Sequence, residues 1–201
     1  MTETLAISTL DEATHYLHAL LEYAPDGGGG LESTVTGFGS YIGLPPQVAL
    51  LPDGRLGELL APIEYIQESS KQWPVPKGAS LDGASIPRPL WSIIGGPFEG
   101  RYRDASIVHD HYCVVKTEPW RETHRMFYEA MRCSGVGTTK AKVMFYAVHR
   151  FGPRWGGGGL ESLAPAPLTD ADAETLVRDA MTIAASDPDI ETIEALADSR
   201  E

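Results

Sequence analysis

The run Ser106-Ile107-Val108-His109-Asp110-His111-Tyr112-Cys113 places an imidazole beside a carboxylate. Such a pair supports two kinds of chemistry. The histidine can take a proton from water as a general base while the aspartate orients it or holds a cation. Alternatively, both side chains can ligate one divalent metal, since mixed nitrogen and oxygen donors suit zinc, manganese or iron. Either use needs further groups. His124 supplies a second imidazole from the segment Thr123-His124-Arg125-Met126-Phe127-Tyr128. Asp82 and Ser85, in Asp82-Gly83-Ala84-Ser85-Ile86-Pro87, supply a second carboxylate and a hydroxyl. The expected site therefore has His109, Asp110 and Asp82 as catalytic groups. Its metal ligands would be Asp82, His109, Asp110 and His124, with Ser85, Arg101 and Arg103 binding a substrate. Cys113 follows His109 by one helical turn and can approach the same point, although packing alone explains a single buried cysteine.

The same residues have plain structural accounts. Asp-Gly favours a tight turn, and a serine caps turns. A histidine on an apolar helix face is usually hydrogen-bonded within the core. Together these side chains can form a buried polar network that fixes a loop against helices and needs no substrate.

The elements that position these residues follow from the spacing of apolar positions. Helices are expected at about 102–116, 120–134 and 138–151, broken by Lys116-Thr117-Glu118-Pro119 and Gly135-Val136-Gly137. Such short links favour antiparallel neighbours. On the first helix Ala105, Val108, Tyr112 and Val115 make a buried stripe. His109 lies beside it, and Asp110 about 100° further round. On the second, His124 shares a face with Phe127, Tyr128 and Met131 and looks towards the first helix, while Arg125 is more exposed. His149 and Arg150 suit the negative end of the third helix. Upstream, 47–52 and 60–67 read as strands. Trp73 to Gly78 reads as a turn, because two prolines cannot sit in a central ladder. Prolines 87 and 89 keep the preceding residues extended, and Trp91, Ile93, Ile94 and Phe98 form an apolar anchor. The fold class is α+β: a small antiparallel sheet followed by a cluster of three helices, with helical flanking segments.

The flanks read differently. Residues 9–23 form an amphipathic helix opened by a capping box of Thr9 and Glu12. His15 and His18 on that helix have no metal-binding partner at useful spacing. The heptapeptide GGGGLES occurs at 27–33 and again at 156–162, bracketing a unit of domain size. The expected layout is a helical segment at 1–26, a linker at 27–39, the core domain at 40–155, a second linker at 156–168 and an acidic helical tail at 169–201. In the tail, Thr169 and Asp172 start one helix, and Asp187-Pro188 opens a shorter one carrying Ile190, Ile193 and Leu196. Both terminal segments are thinly apolar, suited to weak docking or to protein contacts.

The motif Val75-Pro76-Lys77-Gly78, then Asp82-Gly83-Ala84-Ser85-Ile86-Pro87, Leu90-Trp91, Gly100-Arg101-Tyr102, His109-Asp110 and the helix around His124–Met131 resembles the phage- and prophage-associated family of unknown function numbered 1353. The resemblance covers about residues 45–155. It implies a compact domain with shared polar residues at Asp82, Ser85, His109 and Asp110, and names no activity. An aspartate is common in that family where this chain has His124. Locally, Val108–Cys113 also resembles the His-Asp helix of secreted phospholipases A2, which implies calcium held by the aspartate and water activated by the histidine. Here the order Tyr112-Cys113 is reversed, and no disulfide lattice or glycine-rich calcium loop accompanies it. The leading expectation is a hydrolase of phage or prophage type with a His-Asp site and a divalent metal (zinc, manganese or calcium). The alternative is a phage structural, assembly or binding protein.

Composition bounds both readings. The chain has 201 residues, two cysteines and a formal net charge of −12. From Leu60 to Trp155 there are 13 basic and 9 acidic residues, a balance of +4, while the flanks hold 3 basic and 19 acidic, a balance of −16. Acidic ends keep a chain soluble. They can also fold over a basic site, for which Arg88, Arg101, Arg103, Arg121 and Arg125 are available. The overall charge works against nucleic-acid binding, leaving a small molecule, a lipid or a protein as the partner. No apolar run of membrane-spanning length occurs, and no basic region precedes an apolar one at the N-terminus. The expected location is the cytoplasm of the producing cell, or a virion.

Overall fold

The computed structural model describes residues 10–23, 37–50, 57–81, 100–156, 162–163 and 169–200. Six short strands precede the central helices: β1 Ser40–Ile42, β2 Val48–Leu50, β3 Gly57–Leu59, β4 Ile63–Ile66, β5 Gln72–Val75 and β6 Ser80–Leu81. They form two antiparallel three-stranded sheets, ordered β1-β4-β5 and β2-β3-β6. The strand period of two sets the burial. Ile63 pairs with Val75 and Tyr65 with Trp73, and all four side chains are buried. Glu64, Gln72 and Pro74 alternate with them on the other face.

The expected turn over Trp73–Gly78 is corrected here. Gln72–Val75 is a strand, with Pro74 opposite Glu64. Proline is tolerated because β5 is an edge strand, where one side of the backbone has no ladder to complete. The turn starts two residues later, where Ala79 N donates to Pro76 O and Gly78 adopts φ 86°.

Helices α2 Arg103–Val115, α3 Trp120–Cys133 and α4 Thr138–Phe151 follow. α2 packs on α3 and α3 on α4, and α2 also meets β5 and β6. The α2–sheet contact centres on Tyr112. Its ring meets Trp73 edge-on at 4.7 Å, and its hydroxyl donates to the Pro74 carbonyl at 3.3 Å. The expected α2 stripe needs widening. Val115 is exposed, whereas Ile107, His109, Asp110 and Cys113 are buried, so α2 is enclosed on more than one side. α3 ends on Gly135 at φ 78°, a left-handed position where a side chain is strained.

Two short strands, β7 Arg154–Trp155 and β8 Ser162–Leu163, pair after α4. They lead to α5 Asp170–Ser186 and α6 Ile190–Asp198. The Thr169–Asp172 capping box is present. The shorter helix opens at Asp189, which accepts from Thr192 N, whereas Asp187 closes α5 in the left-handed region. The terminal helices share one apolar core with the centre. Leu176, Val177, Ala180 and Ile183 of α5 and Ile193 and Ala197 of α6 belong to it, as do Leu17 and Leu21 of α1 Leu10–Tyr23. α5 and α6 pack on α4, and α1 on α5. No helix among the described residues is long and apolar enough to cross a membrane.

The acidic tail does fold over basic residues. Glu194 receives Arg125 through two bonds of 2.6 Å, Glu191 lies 3.4 Å from the same guanidinium, and Asp198 is 3.1 Å from Arg121. The Arg125 side chain is 42% exposed, which limits what the pair contributes. Arg125→Ala is expected to cost about 1 kcal/mol, the upper end for an exposed pair because the geometry is bidentate. The cost should shrink in molar salt as screening rises. Chemical denaturation at low and high salt measures it.

Candidate metal centre on α2 and α3

His109 and Cys113 are four residues apart on α2 and so share a face. α3 brings His124 opposite them. His109 Nε2 lies 2.8 Å from His124 Nδ1, and Cys113 Sγ lies 3.7 Å from His109 Nε2. One donor atom from each residue falls within 4.8 Å of the other two, and all three residues are buried. Aromatic rings surround the cluster. Phe127 stacks on His109 at 4.5 Å, and Trp120 and Trp155 meet His124 edge-on at 5.5 and 6.2 Å. Trp155 is itself fixed by donating Nε1–H to the Glu118 carbonyl at 2.8 Å.

Burial sets the protonation of this group. Desolvation pushes the His109 imidazole down to about 3. His124 is lowered first by desolvation, then by His109 and His149. Both rings are neutral at physiological pH, so one donates and the other accepts along the 2.8 Å contact. A neutral imidazole is also the form that ligates metal. Among the described residues His124 Nε2 has no hydrogen bond of good geometry, although the Pro153 carbonyl lies close enough to favour the protonated ring. A ligating histidine characteristically directs its second nitrogen at a backbone carbonyl.

The residues expected from sequence fall in several places. His109 and His124 come together. Asp110 is buried one residue further along α2 and is not a member of the three-residue cluster. Arg101 and Arg103 are exposed at the start of α2, with Arg103 bonded to Asp104 at 3.4 Å. Asp82 and Ser85 lie outside the described residues, as do Arg88, Thr9 and the apolar anchor at 91–98. Cys113, which packing alone could explain, is the third member of the cluster.

His149 lies in the last turn of α4, as expected, and is also enclosed by neighbouring elements. It is fully buried, with Nε2 3.1 Å from Arg121 Nη1 and 3.3 Å from Asp198 Oδ1, and Nδ1 has no partner among the described residues. Burial lowers its pKa, against the opposing pull of Asp198. Trp120 contacts both His149, at 5.0 Å, and His124. The signal was in the sequence: His149 follows Phe145 by four positions on the apolar face of α4.

Residues 57–148 match the model of a family described as a protein of unknown function, DUF1353. The uncharacterized protein y4jT of Sinorhizobium fredii is 45% identical over 119 residues, which are 59% of this chain and 35% of that protein. The uncharacterized protein y4iH of the same organism is 45% identical over 98 residues, 49% of this chain and 41% of that one. The chain thus spans well under half the length of these relatives. No solved structure matches. The matched segment contains His109, Cys113 and His124 and ends before His149 and the acidic tail. Over residues 57–148, then, this chain is similar to the DUF1353 family.

Proposed function

We propose that His109, Cys113 and His124 hold a divalent transition metal, zinc in the first place, and that the bound ion activates water for hydrolysis. The observation that supports this is the convergence of three buried donors, one from each residue and all within 4.8 Å of one another. Two nitrogens bound tetrahedrally to zinc stand about 3.3 Å apart, and a nitrogen and a sulfur about 3.6 Å. The 2.8 and 3.7 Å separations lie close to these values, so a small outward turn of one imidazole admits the ion. Two imidazoles and a sulfur are soft donors. They suit zinc over calcium or manganese, which take oxygen ligands. Three protein ligands leave a fourth position for water, the arrangement of catalytic zinc. Bound there, the ion lowers the pKa of that water. Asp110, the buried neighbour of His109, and Asp82 are the carboxylates proposed to orient or deprotonate it.

A second reading has its own observation. The His109–His124 hydrogen bond already joins two ring nitrogens without an ion, so the cluster also works as a purely structural link between α2 and α3. Cobalt(II) separates the two. The metal reading expects one equivalent bound per chain, with a thiolate-to-metal charge-transfer band that Cys113→Ser removes. It also expects cleavage of activated esters to follow the metal content. Absence of stoichiometric uptake by folded protein sinks the metal. Uptake without hydrolysis leaves a structural metal and sinks the enzyme.

A further inference from the structure

Two guanidiniums converge on one indole and one imidazole where α3, α4 and β7 meet. Arg121 lies 4.5 Å and Arg154 4.7 Å from the Trp120 ring. Arg121 Nη1 is 3.1 Å from His149 Nε2, and Arg154 Nη2 donates to the His149 carbonyl at 2.8 Å. Arg150 follows His149 in the last turn of α4 and adds a third positive charge. These charges act on one another. Burial lowers the Arg154 pKa, Asp198 opposes it, and Arg150 and Arg121 lower it further. Like charges gathered this way repel unless an anion joins them. Asp198, the last residue of α6, is such an anion, with its two oxygens 3.1 and 3.2 Å from the Arg121 guanidinium.

Charges alone do not make a site, and here two buried donors have no acceptor. Burial keeps the His149 ring neutral. A guanidinium only donates, so His149 Nε2 accepts from Arg121 and the ring carries its proton on Nδ1. His149 is 0% exposed, and Nδ1 has no partner among the described residues. The Arg150 Nε–H is also buried and without an acceptor among them. Buried donors are ordinarily satisfied. Adjacent residues of one helical turn thus carry unmet N–H groups beside three guanidiniums. An anion with several acceptor oxygens meets both needs. Asp198 does not, because both its oxygens already face Arg121. The Arg121 and Asp198 side chains are 47% and 38% exposed, so an ion in solution reaches them.

We propose that this corner binds a phosphoryl group, with Arg121 and Arg154 as its guanidinium partners and the Asp198 carboxylate as the resident occupant that the ligand displaces. A phosphoryl group offers oxygens in the geometry that a guanidinium fork matches. The Trp120 indole adds an apolar face for whatever carries the group. The same indole touches His124 at 5.5 Å, so one ring separates this corner from the His109–Cys113–His124 cluster. Binding needs no metal. That the bound group belongs to a substrate, a phosphate ester, rests on the hydrolytic reading above. The same chemistry can arrive as free phosphate or as such an ester.

Calorimetric titration of the full chain tests it, with a chelator present so that no metal takes up the anion. Inorganic phosphate is used in one arm and phenyl phosphate in the other. Saturable one-to-one binding is expected, and the tighter arm identifies the source. Arg121→Gln and Arg154→Gln should each weaken it about tenfold, the loss of one charged hydrogen bond. Asp198→Asn should tighten it about threefold, because an exposed ion pair no longer competes. A loosened scaffold only weakens binding, so the opposite sign separates a site from a structural cluster. Circular dichroism confirms that each variant is folded, and Asp198→Ser replaces Asp198→Asn if the latter is not. Three results overturn the proposal: no saturation by the folded parent chain, unchanged binding by both arginine variants, or no tightening when Asp198 loses its charge. Phosphate binding without metal-dependent cleavage of phenyl phosphate keeps this site and counts against the hydrolytic reading. Cleavage that Arg121→Gln and Arg154→Gln leave unchanged sinks the link between this site and the substrate.

Discussion

Zinc at about a hundred times its dissociation constant is expected to raise the unfolding midpoint of this chain by about 5–10 °C and to leave His124→Leu unmoved. The shift follows from linkage. An ion that binds only the folded chain at that concentration stabilises it by about 2.7 kcal/mol. Each kcal/mol moves the midpoint of a chain of this size by about 2–4 °C. The ion must prefer the folded state, and here the sequence guarantees it. His109 and Cys113 meet only when α2 forms, and His124 joins them only when α3 packs on α2. A chelator should reverse the effect.

The metal-free variants discriminate further. His124→Leu leaves His109 Nε2 buried without its 2.8 Å partner, at a cost of about 1–3 kcal/mol. Replacing both histidines by leucine removes both polar atoms and should recover much of that loss, because matched apolar replacement is close to neutral. The difference between single and double variants isolates the pair. Differential scanning calorimetry with and without zinc reads the parent chain, His109→Leu, His124→Leu and the double variant. If zinc moves the parent chain and His124→Leu equally, or moves neither, the ion does not bind at this cluster.

How far the sequence reveals this arrangement depends on the kind of signal each residue carries. The three central helices were legible almost to the residue, because Lys116 to Pro119 and Gly135 to Gly137 interrupt strong apolar periodicity. The facing of His109 and His124 followed from that periodicity together with short links. Cys113 was visible as a neighbour of His109 one turn on, but residue type alone cannot separate a ligand from a packed cysteine. Only the distance to His124 on another helix does so. The β5 strand was hidden by Pro74, whose meaning depends on whether the strand is central or at an edge. That depends in turn on pairing with β4, a non-local fact. The same limit applies to the tail. Its charge announced that it could cover arginines, but which ones required the packing of α6 on α4. That packing selects Arg121 and Arg125 over Arg101 and Arg103.

The His109–Cys113–His124 cluster and the sheet are mechanically joined, and Trp73 is the joint. It is 1% exposed, and Phe or Trp to Ala in such positions costs about 3–5 kcal/mol. For a domain whose whole stability is about 5–15 kcal/mol, this is the largest single effect expected outside the His109–Cys113–His124 cluster. Part of the loss is the cavity. Part is the Tyr112 ring, which rests edge-on against Trp73 and sits on α2 between His109 and Cys113. A third part is polar. Trp73 donates to Gln67 Oε1 at 2.7 Å, and Gln67 in turn donates to Glu129 of α3 at 2.9 Å, so sheet, turn and helix are tied in series. Trp73→Phe keeps most of the ring and loses only the donor, at about 1–2 kcal/mol. Urea unfolding at unchanged slope measures both. Because α2 carries two of the three donors, Trp73→Ala should also weaken cobalt affinity by about tenfold, as loss of a supporting residue does, while Trp73→Phe changes it far less. A Trp73→Ala variant that is destabilised as expected but binds cobalt with undiminished affinity would show that α2 and α3 hold the cluster without help from the sheet.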